Sequence, residues 1–208
     1  MLGYGFAVCK QVLARSRKRR RPLKTRPSRD TIKDRHSIHE RPQSIETREE
    51  LGHWEGDLMI CKRTRPILVL HERKSRVTLA VRLQTKSATK TADAMLQILS
   101  RFDKGWRKSI TFDNGTEFAL HTLLRDKLGM STWFCDAYAS WQKGGVENAN
   151  GRLRRWLPRN CDIDNLSEEE MQDIVMSYNL TPRKYLGWQT PLQALFKETG
   201  KDVKLSFA

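Results

Sequence analysis

Three β-type runs crowd into residues 51–83, and they constrain the fold more than any other feature of the chain. The first covers 51–61 and the second 66–71. In the third, 76–83, Val77, Leu79, Val81 and Leu83 alternate with Arg76, Thr78, Ala80 and Arg82, the period of two that separates the faces of a strand. Only short polar breaks divide the runs, so an antiparallel meander is the economical connection. Ser87 then offers an N-cap to a helical stripe of Ala88, Ala92, Met95, Leu96 and Leu99 that stops before Gly105.

From there strands and helices alternate. A short strand at 109–112 is followed by a helix marked by Leu120, Leu123, Leu124 and Leu128 and closed by Gly129. Another strand at 131–135 precedes a helix beyond Gly144-Gly145. Ser167-Glu168-Glu169-Glu170 is a capping box ahead of Met171, Ile174, Val175 and Tyr178. Thr190-Pro191 opens a last helix through Leu192, Leu195 and Phe196 to Gly200. The pattern predicts an α/β fold: a five-stranded mixed sheet, meander first and strand–helix alternation after, with helices on both faces.

Charge bounds the partners. The 208 residues hold 39 Lys+Arg against 24 Asp+Glu, a net +15, which favours phosphate backbones or anionic membranes as partners. No apolar run approaches the roughly 20 residues of a bilayer span. Nine basic residues fall between Arg15 and Arg29, with no acid before Asp30. Such a run repels itself, so residues 1–45 are expected to be a basic, largely disordered segment and 46–208 the folded core. Cys9, Cys61, Cys135 and Cys161 lack metal spacing and read as reduced thiols of a cytosolic protein.

Two aspartates stand out. Asp57 lies inside the first strand and Asp113 ends the fourth, before an Asn114-Gly115 turn, and strands disfavour aspartate. In the expected topology the first and fourth strands are central neighbours, so these acids can meet at one edge. A helix packed over that edge would bring Glu147. Val146, Ala149, Leu153, Trp156 and Leu157 form that helix's apolar stripe, while Glu147, Asn150 and Arg154 share a second face. Three converging carboxylates need a cation between them, and hard oxygen ligands suit Mg²⁺ or Mn²⁺. Two such ions about 4 Å apart can drive in-line phosphoryl displacement. Each aspartate alone reads more simply as a turn former or ion-pair member. His53 and His121 read as packing or rim residues, and the tryptophans as core or interface, with base stacking an option at Trp141.

The segments Trp54-Glu55-Gly56-Asp57-Leu58, Phe112-Asp113-Asn114-Gly115-Thr116-Glu117-Phe118 and Trp141-Gln142-Lys143-Gly144-Gly145-Val146-Glu147-Asn148-Ala149-Asn150-Gly151 resemble the DDE transposases of bacterial insertion sequences, closest to the insertion-sequence family numbered thirty. Thirty-three residues separate Asp113 from Glu147, the interval of that family. Phe134-Cys135-Asp136, Arg183-Lys184-x-Leu186-x-Trp188 and Thr190-Pro191 resemble its later landmarks, so the likeness runs over about 39–196. Ser140 stands where the family commonly has proline, and Thr181 where it has arginine.

The resemblance implies a ribonuclease H-like integrase core. It makes Asp57, Asp113 and Glu147 the catalytic metal ligands for a pair of Mg²⁺ ions, with Mn²⁺ as substitute. Arg154 matches a position placed against element-end DNA, and Lys143, Asn148 and Arg152 are further candidates for DNA contact. The implied partners are double-stranded DNA, both inverted-repeat ends and target, and further copies of the chain assembled on it. The implied setting is the bacterial cytoplasm and nucleoid. A helix-turn-helix domain that reads the ends has no room here, which suggests a truncated or remnant transposase. Alternatives are a metal-dependent nuclease and a non-catalytic DNA-binding remnant.

Overall fold

The strands β1 (His53–Ile60), β2 (Pro66–Glu72), β3 (Thr78–Arg82), β4 (Ser109–Phe112) and β5 (Ser131–Phe134) form one sheet in the order β3-β2-β1-β4-β5. The computed structural model describes residues 32–200. β1, β2 and β3 pair antiparallel, whereas β4 joins β1 and β5 joins β4 in parallel. The expected meander and alternation are both present, and β1 and β4 are neighbours at the centre.

β2 is buried along its whole length, which accounts for its unbroken apolar run. Leu68 and Leu70 enter one core, and Ile67 and Val69 the other. The first core is covered by α2 (Ala88–Leu99), α3 (Thr122–Leu128) and α6 (Pro191–Thr199), through Met95, Ile98, Leu99, Leu124 and Leu195. The second is covered by α4 (Gly144–Leu153) and α5 (Glu168–Asn179), through Val146, Ala149, Leu153, Met171 and Val175. Helices thus lie on both faces.

The caps fall where the sequence places them. Ser87 accepts from the Lys90 N–H, Ser167 and Thr190 head capping boxes, and Gly129 and Gly200 close their helices with left-handed backbone. His53 and His121 are packing residues as expected. Both rings are buried, hydrogen-bonded to the Ser109 and Thr132 hydroxyls at 2.8 Å. The tryptophans divide: Trp54 is core, but Trp141, Trp156 and Trp188 are exposed.

The folded region starts earlier than residue 46. Within 32–45, Ile32, Ile38, Arg41 and Ile45 are buried. Ser37 forms a parallel bridge with Phe134 at the edge of β5, and the Phe134 N–H donates to the His36 carbonyl at 2.9 Å. A short helix, α1 (Gln43–Thr47), follows. Three isolated isoleucines among charges make no periodic signal, but β5 offers backbone partners that hold the segment down. The basic run at 15–29, and the expectations for 1–31 and 201–208, lie outside the described residues.

Candidate active site

The β1–β4 register pairs His53 with Ser109, Trp54 with Ile110 and Glu55 with Thr111. The same offset carried two residues on sets Asp57 opposite Asp113, just past the end of β4. Gly56 lets the strands draw together: a Cβ there would sit 2.6 Å from the Phe112 ring. The Asp113 Oδ1 accepts the Gly115 N–H at 3.1 Å, an Asx turn that fixes the carboxylate. Asn114 donates to the Cys135 carbonyl at 2.7 Å and accepts from Arg35 at 2.6 Å, so the loop is held at both sides.

Between the aspartates lies Lys143, the last residue of a 3₁₀ turn that leads into α4. Its Nζ donates to Asp57 Oδ1 at 2.8 Å and to Asp113 Oδ2 at 2.9 Å. The lysine side chain is 2% exposed, against 21% for Asp57 and 42% for Asp113. Burial pushes its pKa down, but Asp57 and Asp113 together outweigh that, and the net displacement is upward. The ammonium therefore stays charged and occupies the point where both carboxylates converge. Asn150, two turns along α4, donates to Asp57 Oδ2 at 2.6 Å.

Glu147 lies on α4 three residues before Asn150, so it shares the face that meets Asp57. Its side chain is exposed, and no group of three or more His, Cys, Asp or Glu close enough to hold a metal occurs among the described residues. The two aspartates meet at Lys143, whereas the third acid is exposed to solvent and does not join them. The aspartate pair suits a hard divalent cation, since the two carboxylates already share one cationic partner, and Glu147 on α4 is the third acid available to it. Asp57, Asp113 and Glu147 are the residues that would hold it.

The helix itself is positioned by residues whose role the sequence did not reveal. The Glu55 carboxylate accepts the Val146 N–H at 2.8 Å and thereby caps α4 from the neighbouring strand. Its other oxygen accepts from Arg73 at 2.5 Å, and Arg73 also reaches Glu46, which pairs with Arg41. Arg41 donates to the Thr111 hydroxyl at 2.9 Å. Burial, then the neighbouring Arg73, pushes the Arg41 pKa down to about 10. The acid-rich Trp54-Glu55-Gly56-Asp57 stretch was the available signal, since a second strand carboxylate needs a partner as much as the first.

The expected DNA-contacting residues separate. Lys143 is committed to the aspartates rather than free for phosphate. Arg154 is spent on the fold: its guanidinium donates to the Ile60 carbonyl at 2.9 Å and the Leu157 carbonyl at 3.2 Å, tying the end of α4 to the end of β1. Asn148 is exposed and accepts from the half-buried Arg152 at 3.0 Å, and neither is held by a carboxylate among the described residues.

A five-stranded mixed sheet whose central strands β1 and β4 run parallel, with helices on both faces, is the fold of a known integrase core domain. The catalytic core domain of BIV integrase shares this fold, with a TM-score of 0.55 at 22% identity over 71% of this chain and 95% of that one. No family model matches the chain. Among curated proteins, it is 39% identical over 168 residues to the transposase for insertion sequence element IS1086 of Cupriavidus metallidurans, covering 80% of this chain and 50% of that protein. It is 35% identical over 158 residues to the transposase InsI for IS30A of Escherichia coli, covering 76% of this chain and 41% of the relative. The corresponding figures for the transposase for IS4351 of Bacteroides fragilis are 33% over 178 residues, 85% and 54%. By sequence the chain is similar to insertion-sequence transposases, that of IS30A among them, and it spans about half the length of the curated relatives it matches.

Proposed function

We propose that this region is the catalytic core of a DNA strand transferase that cleaves at insertion-sequence ends and joins the freed 3′-hydroxyl to target DNA. The observation that carries the reading is the convergence of Asp57 and Asp113 on one cation, beneath the helix that bears Glu147. Magnesium or manganese, held as a pair by these three acids, would supply Lewis-acid activation of the attacking and leaving oxygens. Asn150 orients Asp57 by its hydrogen bond, and Glu55 with Arg73 fixes the entry of the helix. Lys143 neutralises the two aspartates and would yield that point when Glu147 turns inward. The net +15 charge suits duplex DNA, both element ends and target, bound by several copies of the chain within the bacterial nucleoid.

The test is to incubate the purified chain with pre-cleaved ends of its own insertion sequence, Mg²⁺ or Mn²⁺, and plasmid. Joined products are expected, and Asp113→Asn should abolish them while DNA binding persists. Nicking without joining would identify a nuclease, and binding without either would identify a non-catalytic binder. Joining by Asp113→Asn at the native rate would remove the site.

A further inference from the structure

Beside the N-terminus of α4 opens a pocket of about 520 Å³, within the roughly 300–1,000 Å³ typical of ligand sites. Arg48, Arg76, Arg152, Arg183 and Lys184 line it, and no carboxylate does so among the described residues. Two of the guanidinium groups are braced on tyrosine rings: Arg76 over Tyr185 and Arg183 over Tyr178, each 4.3 Å from the ring centre. Burial first, then Arg48 beside it, lowers the pKa of Arg76, and burial lowers that of Arg183. The concavity thus concentrates positive charge, with no carboxylate on its wall among the described residues.

An independent observation points to a ligand. His71 on β2 lines the same pocket with a side chain that is 2% exposed, and its Nδ1 is 2.8 Å from the Thr78 hydroxyl. Its Nε2 is buried and has no hydrogen-bond partner. A buried polar atom left alone is costly, so its retention at the wall of a cationic recess calls for an acceptor. If the Thr78 hydroxyl donates to Nδ1, the ring presents Nε2–H to the pocket, the tautomer a phosphate oxygen would select. Gly145 keeps the approach tight: a Cβ there would lie 2.8 Å from the His71 ring.

The rim is aromatic. Tyr185 and Trp188 also line the pocket, with residue exposures of 65% and 70%. Cations in a recess with stacking rings at its mouth form the arrangement that binds unpaired nucleotides, whose bases are free to stack. A duplex keeps its bases stacked on each other and offers only its backbone. We propose that this pocket holds an unpaired nucleotide of a DNA strand, its phosphate against His71, Arg152 and Arg183 and its base on Trp188. The inference rests on the reading of the chain as a DNA-processing core and deepens it: the strand near the reaction would be locally unpaired.

Fluorescence anisotropy of the full chain with a labelled single-stranded oligonucleotide, and with a duplex of equal length, tests this. Trp188→Ala should weaken single-strand binding about tenfold, within the range for loss of one stacked base, and leave duplex binding unchanged. Trp188→Phe, which keeps a ring, should restore most of it, and thermal melting of both variants establishes that they are folded. Equal weakening of both DNA forms by Trp188→Ala, weakening of neither, or no rescue by phenylalanine would overturn the pocket assignment alone. Absence of binding to either form by the native chain would overturn both this inference and the strand-transferase reading.

Discussion

Replacing Lys143 by methionine isolates the electrostatics of the aspartate pair. The substitution keeps the buried stem and removes the ammonium that bridges Asp57 at 2.8 Å and Asp113 at 2.9 Å. Two carboxylates about 5 Å apart repel by about 3 kcal/mol at an effective dielectric near 20. The partial exposure of both, 21% and 42%, screens that and lets water replace the lost donors, which leaves a net loss of about 2 kcal/mol. For a chain of this size that is a fall in Tm of roughly 4–8 °C. Thermal denaturation in EDTA should show the fall. Adding Mg²⁺ should then raise the Tm of Lys143→Met more than that of the native chain, because no ammonium has to leave first. A variant as stable as the native chain in EDTA, or an equal response of both to Mg²⁺, would refute the view that lysine holds the cation position.

Gly145→Ala would drive a methyl group to 2.7 Å from Glu55 and 2.8 Å from His71, and should cost about 1–3 kcal/mol in chemical denaturation. A neutral result would mean that α4 shifts freely on the sheet. Arg154→Ala should lower stability by about 1.5–3 kcal/mol without DNA present, since it strips donors from the Ile60 and Leu157 carbonyls. Unchanged stability with weakened DNA binding would instead make Arg154 a DNA contact. Acidification supplies a further check. Burial lowers the pKa of His53, His71 and His121, so the unfolded chain takes up protons below about 6.5 that the folded one refuses. Stability should therefore fall from pH 7 toward pH 5, offset in part by Glu72, whose pKa burial raises. A Tm that holds or climbs over that interval would mean the rings accept protons in place.

The strand order and the facing of Asp57 and Asp113 were legible because both follow from short-range rules: period two, short breaks, and a parallel register that counts residues. Several helix ends were legible for the same reason: Ser87, Ser167 and Thr190 cap their helices and Gly129 and Gly200 close theirs. The partners of Lys143, Glu55 and Arg154 were not. Each extends a long side chain across 86 to 94 positions of sequence to a group on another element, and only the packing of α4 on the sheet decides which group that is. Lys143 and Arg154 were candidates for DNA contact on the family resemblance, and in this structure both side chains bond within the fold. Residues 32–45 escaped notice because their buried side chains, Ile32, Ile38, Arg41 and Ile45, are scattered among charges, and a single bridge to β5 leaves no hydrophobic rhythm.

The cap that Glu55 places on α4 makes the helix an inseparable part of its sheet. A designer who grafts 144–153 onto another scaffold, or swaps it between related chains, must carry the strand acid and its arginine along. Without them the transplanted segment would start with a bare amide and lose the anchor that aims Asn150 and Glu147.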